Sequence, residues 1–294
     1  MTIDSCRDRF LEYLQFEKRF SAHTLVAYQN DIEQLSVYLN SMYQITSIEE
    51  VNHTLIRSWI VDMMDQGISP RSVNRKITSL KTFYKFLLRQ KWVFENPMLK
   101  IQSPKTSKRL PVLVEKEKME VLLHHVAFGT DQKGLRDKLI VELFYSTGMR
   151  LSELIQLKEK DVDLYANQLK VLGKRNKERL IPITNELKQL LQQYAKERPA
   201  TEEEVLLLSD KGKKLSEKFV YNLVKAYLSQ VTTIDKKSPH VLRHTFATHM
   251  LNNGADLNAI KELLGHANLS ATQVYTHNTV EKLKNVHKQA HPKA

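Results

Sequence analysis

The stretch HVLRHTFATHMLNNGADLNAIKELLGHANLSATQVYTH, residues 240–277, predicts how the C-terminal part of this chain folds. Its apolar spacing indicates a helix that ends at Gly254, then a shorter helix over residues 257–264 that ends at Gly265. Glycine suits the left-handed position that follows a helix. A further helical segment begins near Ser270. The stretch therefore predicts three short helices in a compact, turned arrangement.

Four polar side chains of this stretch have a route to a single pocket. His240 and Arg243 lie three residues apart, so they share one face of the first helix. His266 follows the second helix stop directly, and Tyr275 lies on the third segment. Two imidazoles, one guanidinium and one phenol together suit chemistry on a phosphate.

The composition is that of a globular protein large enough for two domains. The chain has 294 residues, of which 41% are apolar and 27% charged. Its first ten residues are polar and charged, unlike a signal peptide, and no apolar run approaches membrane-spanning length. Cys6 is the one cysteine, so a disulfide within the chain is impossible and a thiolate metal cluster is disfavoured. We therefore expect a cytoplasmic protein that has no membrane span.

The charge balance favours a polyanionic partner, most often nucleic acid. There are 45 Lys and Arg against 33 Asp and Glu, which gives a net charge of +12 and a pI near 9.5. From Arg71 to Lys91, a predicted helix, there are seven basic residues and no acidic one. An ordinary solvent face is the alternative, but such a face normally mixes both signs. The residues of this helix expected to contact DNA are Arg71, Arg75, Thr78, Thr82 and Lys85.

Helical spacing and linker composition predict the domain organisation. Residues 1–100 are expected to form an all-α domain of four helices. Residues 101–111 contain two prolines, two serines and three basic residues, as in a linker. Residues 112–294 are expected to be mostly helical, with a small β-hairpin. The predicted fold class is mainly α, a two-domain clamp that closes around a duplex.

Two further basic features precede residues 240–277 in the chain. Arg150 follows a break at residues 147–148, near the start of a new helix whose dipole favours an anion. Taken alone, Arg150 fits equally well a surface pair with Glu153. Strands over residues 169–172 and 179–183 are joined by a basic turn, whose tip can enter a groove or reach a scissile phosphate. Taken alone, a basic hairpin is more often only a solvated turn. The basic residues of this turn are Lys174, Arg175 and Lys177.

Five short motifs carry a resemblance to a known family. They are TGMRLSE (residues 147–153), GK (173–174), HVLRH (240–244), LGH (264–266) and YTH (275–277). In this order and at these gaps they resemble the tyrosine recombinases of the phage integrase family, and within it the bacterial Xer-type enzymes, with the XerD group as the nearest. The resemblance covers essentially the full chain. Two residues depart from the pattern, because Arg175 stands where glycine is usual and Ala271 where threonine is common.

The resemblance implies a site-specific recombinase that cuts and rejoins DNA through a 3′-phosphotyrosine. Tyr275 would be the nucleophile, His240 the general base, and Lys174 the general acid that protonates the departing 5′ oxygen. A tyrosine with the ordinary pKa of about 10 is a weak nucleophile near neutral pH unless such groups help it. The residues implied to hold the phosphate are Arg150, Arg243 and His266.

The same resemblance implies the partners of the reaction. The substrate would be double-stranded DNA, and no metal, ATP or other cofactor would be needed. Four protomers would act on two synapsed sites, with a second related recombinase and a DNA translocase as further candidate partners, to resolve chromosome or plasmid dimers at cell division. The basic amphipathic tail after Tyr275 is expected to contact a neighbouring protomer.

Other interpretations stay open. Integrases and transposon recombinases share this core, and a type IB topoisomerase shares the tyrosine chemistry. Residues 255–275 also fit a helix-turn-helix, so a non-catalytic repressor is an alternative from another class. His240 and His244 have the spacing of zinc-binding helices, but Val241 excludes an HExxH pattern.

Overall fold

Two compact units make up the chain. A computed structural model describes residues 1–106, 112–173, 177–199, 201–265 and 285–292. Its contacts divide the chain into the units Met1–Arg109 and Leu110–Ala294. Each unit encloses its own apolar core. None of the described helices is long and apolar enough to cross a membrane.

The first unit is all-α, as its sequence predicts. Its four α-helices are α1 (Ile3–Glu12), α2 (Ala22–Tyr43), α3 (His53–Asp65) and α4 (Pro70–Arg89). A π-helical turn at Tyr13–Glu17 extends α1, and 3-10 turns lie at Ile48–Glu50 and Pro97–Lys100. Local capping explains where the helices begin: the Asn52 side chain accepts from two amides of α3, and Ser69 caps α4 directly before its first-turn proline.

Helix α4 has the two faces that its sequence pattern predicts. Its apolar face is buried in the core of the first unit and includes Val73, Ile77, Leu80, Tyr84 and Leu87. On the opposite side the basic residues are exposed, except Lys76, which is buried and paired with Asp31 of α2. The predicted DNA-contacting face is therefore available on the surface of the first unit.

In its described residues the second unit is mostly helical and contains one small sheet. Up to residue 265 its helices are α5 (Lys116–His124), α6 (Gln132–Thr147), α7 (Leu151–Gln156), α8 (Asn185–Glu197), α9 (Glu217–Val231), α10 (Pro239–Asn252) and α11 (Leu257–Leu264). Its strands are β1 (Val162–Asp163), β2 (Gln168–Leu172) and β3 (Glu178–Pro182), paired antiparallel in that order. The last two strands are the predicted hairpin. The two-residue β1 was not predicted, because it is too short to show an alternating pattern.

Helix α6 forms the middle of the second unit. It packs against α8 and α10, and the residues from Leu139 to Thr147 are all buried. A helix buried on every side shows no polar face, so its position in the core comes from packing rather than from amphipathic spacing. The candidate site begins directly after its C-terminus, at Gly148 and Arg150.

The stretch of residues 240–277 folds as predicted over its first two helices. Helix α10 is followed by Gly254, which has a φ of +88°, and α11 is followed by Gly265, which has a φ of +66°. Both glycines have the left-handed backbone that ends a helix. The third predicted segment, from Ser270, lies outside the described residues.

Candidate active site

The turn between α6 and α7 places Arg150. Gly148 ends α6 with a φ of +60°, and a Cβ at this position would lie 2.5 Å from the Phe246 ring and 2.7 Å from a Leu264 methyl. Both the backbone and the space therefore require glycine here. The close packing of this turn against α10 and α11 sets the start of α7, where Arg150 is the N-cap residue.

Glu153, in the first turn of α7, joins two arginines. Its carboxylate accepts from Nη1 of Arg150 at 2.7 Å and from the Arg150 amide at 2.7 Å. The same carboxylate accepts a bidentate pair from Arg179, at 2.9 and 2.8 Å. Glu153 and Arg179 are each only 4% exposed. The predicted Arg150–Glu153 pair therefore exists, but its carboxylate is buried rather than at the surface.

The electrostatics of Glu153 follow from these contacts. Burial opposes its ionisation, but the hydrogen bonds and charge of Arg179, with those of Arg150, outweigh burial and lower its pKa to about 2. Glu153 is thus a carboxylate at any physiological pH. It fixes the direction of two guanidinium groups from different elements, one on α7 and one on β3.

Three consecutive carbonyl groups at the end of α11 each accept from a different arginine. Leu263 O accepts from Nε of Arg179 at 2.7 Å. Leu264 O accepts from Nη2 of Arg243 at 2.7 Å, and Gly265 O accepts from Nη2 of Arg150 at 2.9 Å. The last carbonyls of a helix have no partner within the helix and carry its partial negative charge, so cations are favoured there. This arginine cluster, Arg150, Arg179 and Arg243, thereby assembles directly before position 266.

Arg243 is the most enclosed of the predicted catalytic residues in the described chain. It is 8% exposed, and its Nη1 also donates to Gly148 O at 2.6 Å. Burial, and then the nearby charge of Arg150, lower its pKa to about 10, so it stays protonated at neutral pH. His240, one turn earlier on α10, is exposed. The structure thus gathers Arg150 and Arg243, and places His240 at the surface of the same helix as Arg243.

Several predicted site residues lie outside the described chain. They are Lys174, Arg175, His266 and Tyr275. Their neighbours are described: Gly173 donates its amide to the Lys177 carbonyl at 2.7 Å and so closes the base of the hairpin, and Lys177 is exposed. Within the described ranges, no three His, Cys, Asp or Glu side chains are grouped as they are around a metal ion.

The predicted DNA-contacting residues of α4 differ in how they are held. Arg71, Thr78 and Lys85 are exposed, and Thr82 is half-buried. The hydroxyls of Thr78 and Thr82 each donate to the carbonyl four residues earlier in the helix. Arg75 is different, because both of its terminal nitrogens donate to the buried Asp31 of α2.

Sequence reasoning missed Arg179. The signal was available: Arg179 is in phase with Ile181 along β3 and is paired with Val171 of β2, so it occupies a core-facing position of the strand. A charged residue in such a position is rarely left unpaired. It was missed because its partner, Glu153, lies 26 residues earlier and on a helix.

The contacts of residues 285–292 with their own chain were likewise not predicted from the sequence. A short helix, residues 285–290, lies on the second unit of its own chain, where Asn253 donates to Ala290 O at 3.1 Å. The buried imidazoles of His287 and His291 both place Nε2 near Ser146 O, at 3.3 and 3.1 Å. A carbonyl can only accept, so both Nε2 atoms donate. The tail is therefore attached to the C-terminal end of α6, four residues before Arg150.

Tail docking is expected to weaken as the pH falls from about 6.5 towards 4. Burial lowers the pKa of His287 to about 4, against which the Ser146 carbonyl acts less strongly. The stabilisation from neutral His287 is thus complete above its ordinary pKa, is lost as the pH falls through the lowered one, and is weaker by about 2 kcal/mol at pH 5. Amide exchange of residues 285–290 at pH 7.5 and 5, corrected for intrinsic rates, measures it.

The exchange experiment has matched variants. His287→Gln removes one titrating group and keeps a donor, so the protection of residues 285–290 should change less with pH in this variant than in the wild type. The same substitution at the exposed His124 should leave the wild-type pH dependence intact. Equal protection of residues 285–290 at both pH values in the wild-type chain would contradict the expectation.

Two family models match the chain. The model described as the phage integrase family matches residues 113–282, and the phage integrase N-terminal SAM-like domain matches residues 8–91. Tyrosine recombinase XerC of Staphylococcus saprophyticus is 38% identical over 295 residues, covering 99% of both chains. Tyrosine recombinase XerD of Staphylococcus haemolyticus is 36% identical over 292 residues, covering 98% of both. The expectation that the chain resembles the XerD group most is thus only partly supported, since the XerC sequence is at least as similar.

A solved structure shows the same fold. A lambda integrase tetramer bound to a Holliday junction has a chain that superposes with a TM-score of 0.72 at 18% identity, covering 93% of this chain and 81% of that one. Together with the full-length sequence matches, this agreement shows that the chain belongs to the phage integrase family, as a tyrosine recombinase of the Xer group that carries out site-specific DNA recombination.

Proposed function

We propose that this chain cuts and rejoins duplex DNA through a covalent bond between Tyr275 and a 3′-phosphate, and that Arg150 and Arg243 hold that phosphate. The observation that carries the proposal is the arginine cluster at the end of α11. A guanidinium has five N–H donors, and Arg150 and Arg243 each use two in the described contacts, so both keep donors for an anion. Three arginines against one carboxylate leave the cluster positive.

The chemistry follows from these charges. The Tyr275 oxygen attacks phosphorus while His240 accepts the phenolic proton, and the bond to the 5′ oxygen breaks as Lys174 protonates it. The arginines neutralise charge on the non-bridging oxygens, which is greatest in the transition state, and His266 hydrogen-bonds the same phosphate. The phosphotyrosine conserves the energy of the phosphodiester, so rejoining needs no ATP. Two arginines, a lysine and two histidines would supply the stabilisation that a metal ion otherwise provides.

The two units divide the work. We assign DNA binding to residues 1–100 through the exposed side of α4, a linker role to residues 101–111, and catalysis to residues 112–294. Asn74 of α4 donates to Pro104 O at 2.9 Å, which attaches the start of the linker to the helix that we assign to DNA. In the second unit, Arg175 and Lys177 of the hairpin would add contacts to the DNA backbone.

The proposed reaction requires several protomers on DNA. Because lambda integrase is a tetramer on a Holliday junction, we propose that four protomers act on two synapsed sites, with a second related recombinase and a DNA translocase as partners. The role would be to resolve chromosome or plasmid dimers at cell division in the cytoplasm. On their own chain, residues 285–292 contact a surface that includes Ser146 and Asn253. In the tetramer, this surface would bind the tail of a neighbouring protomer.

A nicked suicide substrate tests the central proposal. Duplexes carrying candidate recombination sites, incubated with the wild-type chain in EDTA and without ATP, are expected to give a covalent protein–DNA band. Tyr275→Phe should abolish the band because the phenyl ring has no nucleophilic oxygen. Denaturing gels with labelled DNA measure it.

The matched control is Tyr165→Phe, which makes the same change at a fully exposed tyrosine of the second unit and should leave the band unchanged. A band that persists in Tyr275→Phe would place the nucleophile elsewhere. Sequence-specific binding with no band from the wild-type chain would favour the repressor alternative.

A further inference from the structure

Asp31 of α2 is a fully buried carboxylate saturated by donors from one helix. It is 0% exposed and accepts four hydrogen bonds, all from α4. Two come from Nη1 and Nη2 of Arg75, one from Lys76 Nζ at 3.0 Å and one from Ser79 Oγ at 2.7 Å. Removing a carboxylate from water is costly unless it is paired and hydrogen-bonded in this way. Each of its two carboxylate oxygens accepts two of the four hydrogen bonds.

Of the two cations on Asp31, only one reaches the surface. The Lys76 side chain is 7% exposed and also donates to Gln34 Oε1 at 2.6 Å, so it completes the buried network. The Arg75 side chain is 51% exposed and lies on the face of α4 that carries Arg71 and Lys85. Neither Arg71 nor Lys85 has a hydrogen-bonding partner in the described part of the chain. Arg75 is thus an exposed guanidinium whose position is fixed from inside the unit.

The geometry of the pair leaves a defined edge of Arg75 available. Each terminal nitrogen uses one N–H on Asp31, so three of the five donors stay unused within the described contacts. Nε and the terminal nitrogen beside it then form a second fork, which matches two acceptors in one plane. The O6 and N7 atoms of guanine are such a pair in the major groove of DNA.

The charge balance separates this role from phosphate binding. A phosphate contact depends mainly on net charge, which a mobile lysine supplies as well. The charge of Arg75 is partly neutralised by Asp31, and its side chain does not need to be ordered on binding. A contact of reduced charge and fixed direction is better suited to distinguishing base edges than to attracting the backbone.

We propose that Asp31 is a positioning residue that fixes Arg75 for reading a guanine edge in the recombination site. The proposal rests on the proposed function, because it requires that the first unit binds duplex DNA through α4. It assigns sequence selectivity, rather than general affinity, to a carboxylate that never touches DNA.

Selection from a randomised duplex library, with the full chain and no cleavage readout, tests this role. The wild-type chain should enrich guanine at a position where Arg75→Lys and Asp31→Asn both lose the preference, by about fivefold to 150-fold. Replacing that guanine by 7-deazaguanine removes N7 and should weaken wild-type binding, but should not weaken binding by either variant further. The slope of log affinity against log salt should be nearly unchanged in Asp31→Asn.

The controls keep the outcomes distinct. Asp62→Asn makes the same change at an α3 carboxylate that accepts from Gln66 and should leave the selected site unchanged. Asp31→Asn leaves two cations without their buried carboxylate and is expected to lower stability. Arg75→Lys is therefore the deciding variant, because Lys76 and Ser79 still donate to Asp31 in it. An unchanged guanine preference in Arg75→Lys, or affinity lost equally on all sequences, would overturn the inference. Bound duplexes without any enriched sequence would also overturn the inference, whereas failure of the wild-type chain to retain any duplex would overturn DNA binding itself.

Discussion

Arg243→Ala is expected to slow DNA cleavage by about 10²–10³-fold, the usual effect of losing one preorganised donor to a transition-state oxyanion. The reason is that Arg243 is held by two carbonyls, Gly148 O and Leu264 O, and so is already oriented when the phosphate arrives. Arg243→Lys should recover only part of the rate, because an ammonium keeps the charge but not the planar fork. Single-turnover cleavage of a nicked substrate at saturating protein measures it.

Arg198→Ala is the matched control for Arg243→Ala. The Arg198 guanidinium also donates to backbone carbonyls, those of Glu203, Val205 and Leu206 in the same unit, but it contacts none of the candidate site residues in the described chain. Its loss should lower stability and leave the cleavage rate of folded protein unchanged. Equal slowing by both substitutions would show that Arg243 acts only through folding.

Glu153→Gln is expected to cost the second unit about 3–5 kcal/mol of unfolding free energy, as when one member of a buried ion pair is removed. Arg179 would keep its charge, 4% exposed, opposite a neutral amide. The effect has a defined pH range. Since the pKa of Glu153 is lowered to about 2, its stabilisation is present above the ordinary carboxyl pKa and is lost only as the pH falls through about 2.

Urea unfolding with separate probes for each unit measures this loss. Both tryptophans, Trp59 and Trp92, lie in the first unit, so their fluorescence is an internal control that should not shift. Amide exchange in α6 and α7 reports the second unit. Glu204→Gln, which breaks an exposed pair with Lys158, should change little because water screens it. A Glu153→Gln chain as stable as Glu204→Gln would contradict the expected role.

Local chemistry made several elements predictable from sequence. The Asn52 and Ser69 caps, the Gly254 and Gly265 stops and the buried face of α4 all depend on residues within a few positions of each other. Such signals survive in sequence because hydrogen bonds and side-chain spacing within one helix are set by the backbone period. The motifs were likewise readable, and the family they indicated is confirmed by the sequence matches.

The sequence by itself thus determined the helices, the hairpin and the family, and it singled out Arg150 and Arg243. Only the tertiary structure decided how these groups are held. Arg150, Arg179 and Arg243 come from three separate elements and meet at three carbonyls because α11 ends where α7, β3 and α10 converge. Asp31 and Arg75 meet across 44 residues for the same reason. Contacts between distant segments depend on packing, which no local period encodes.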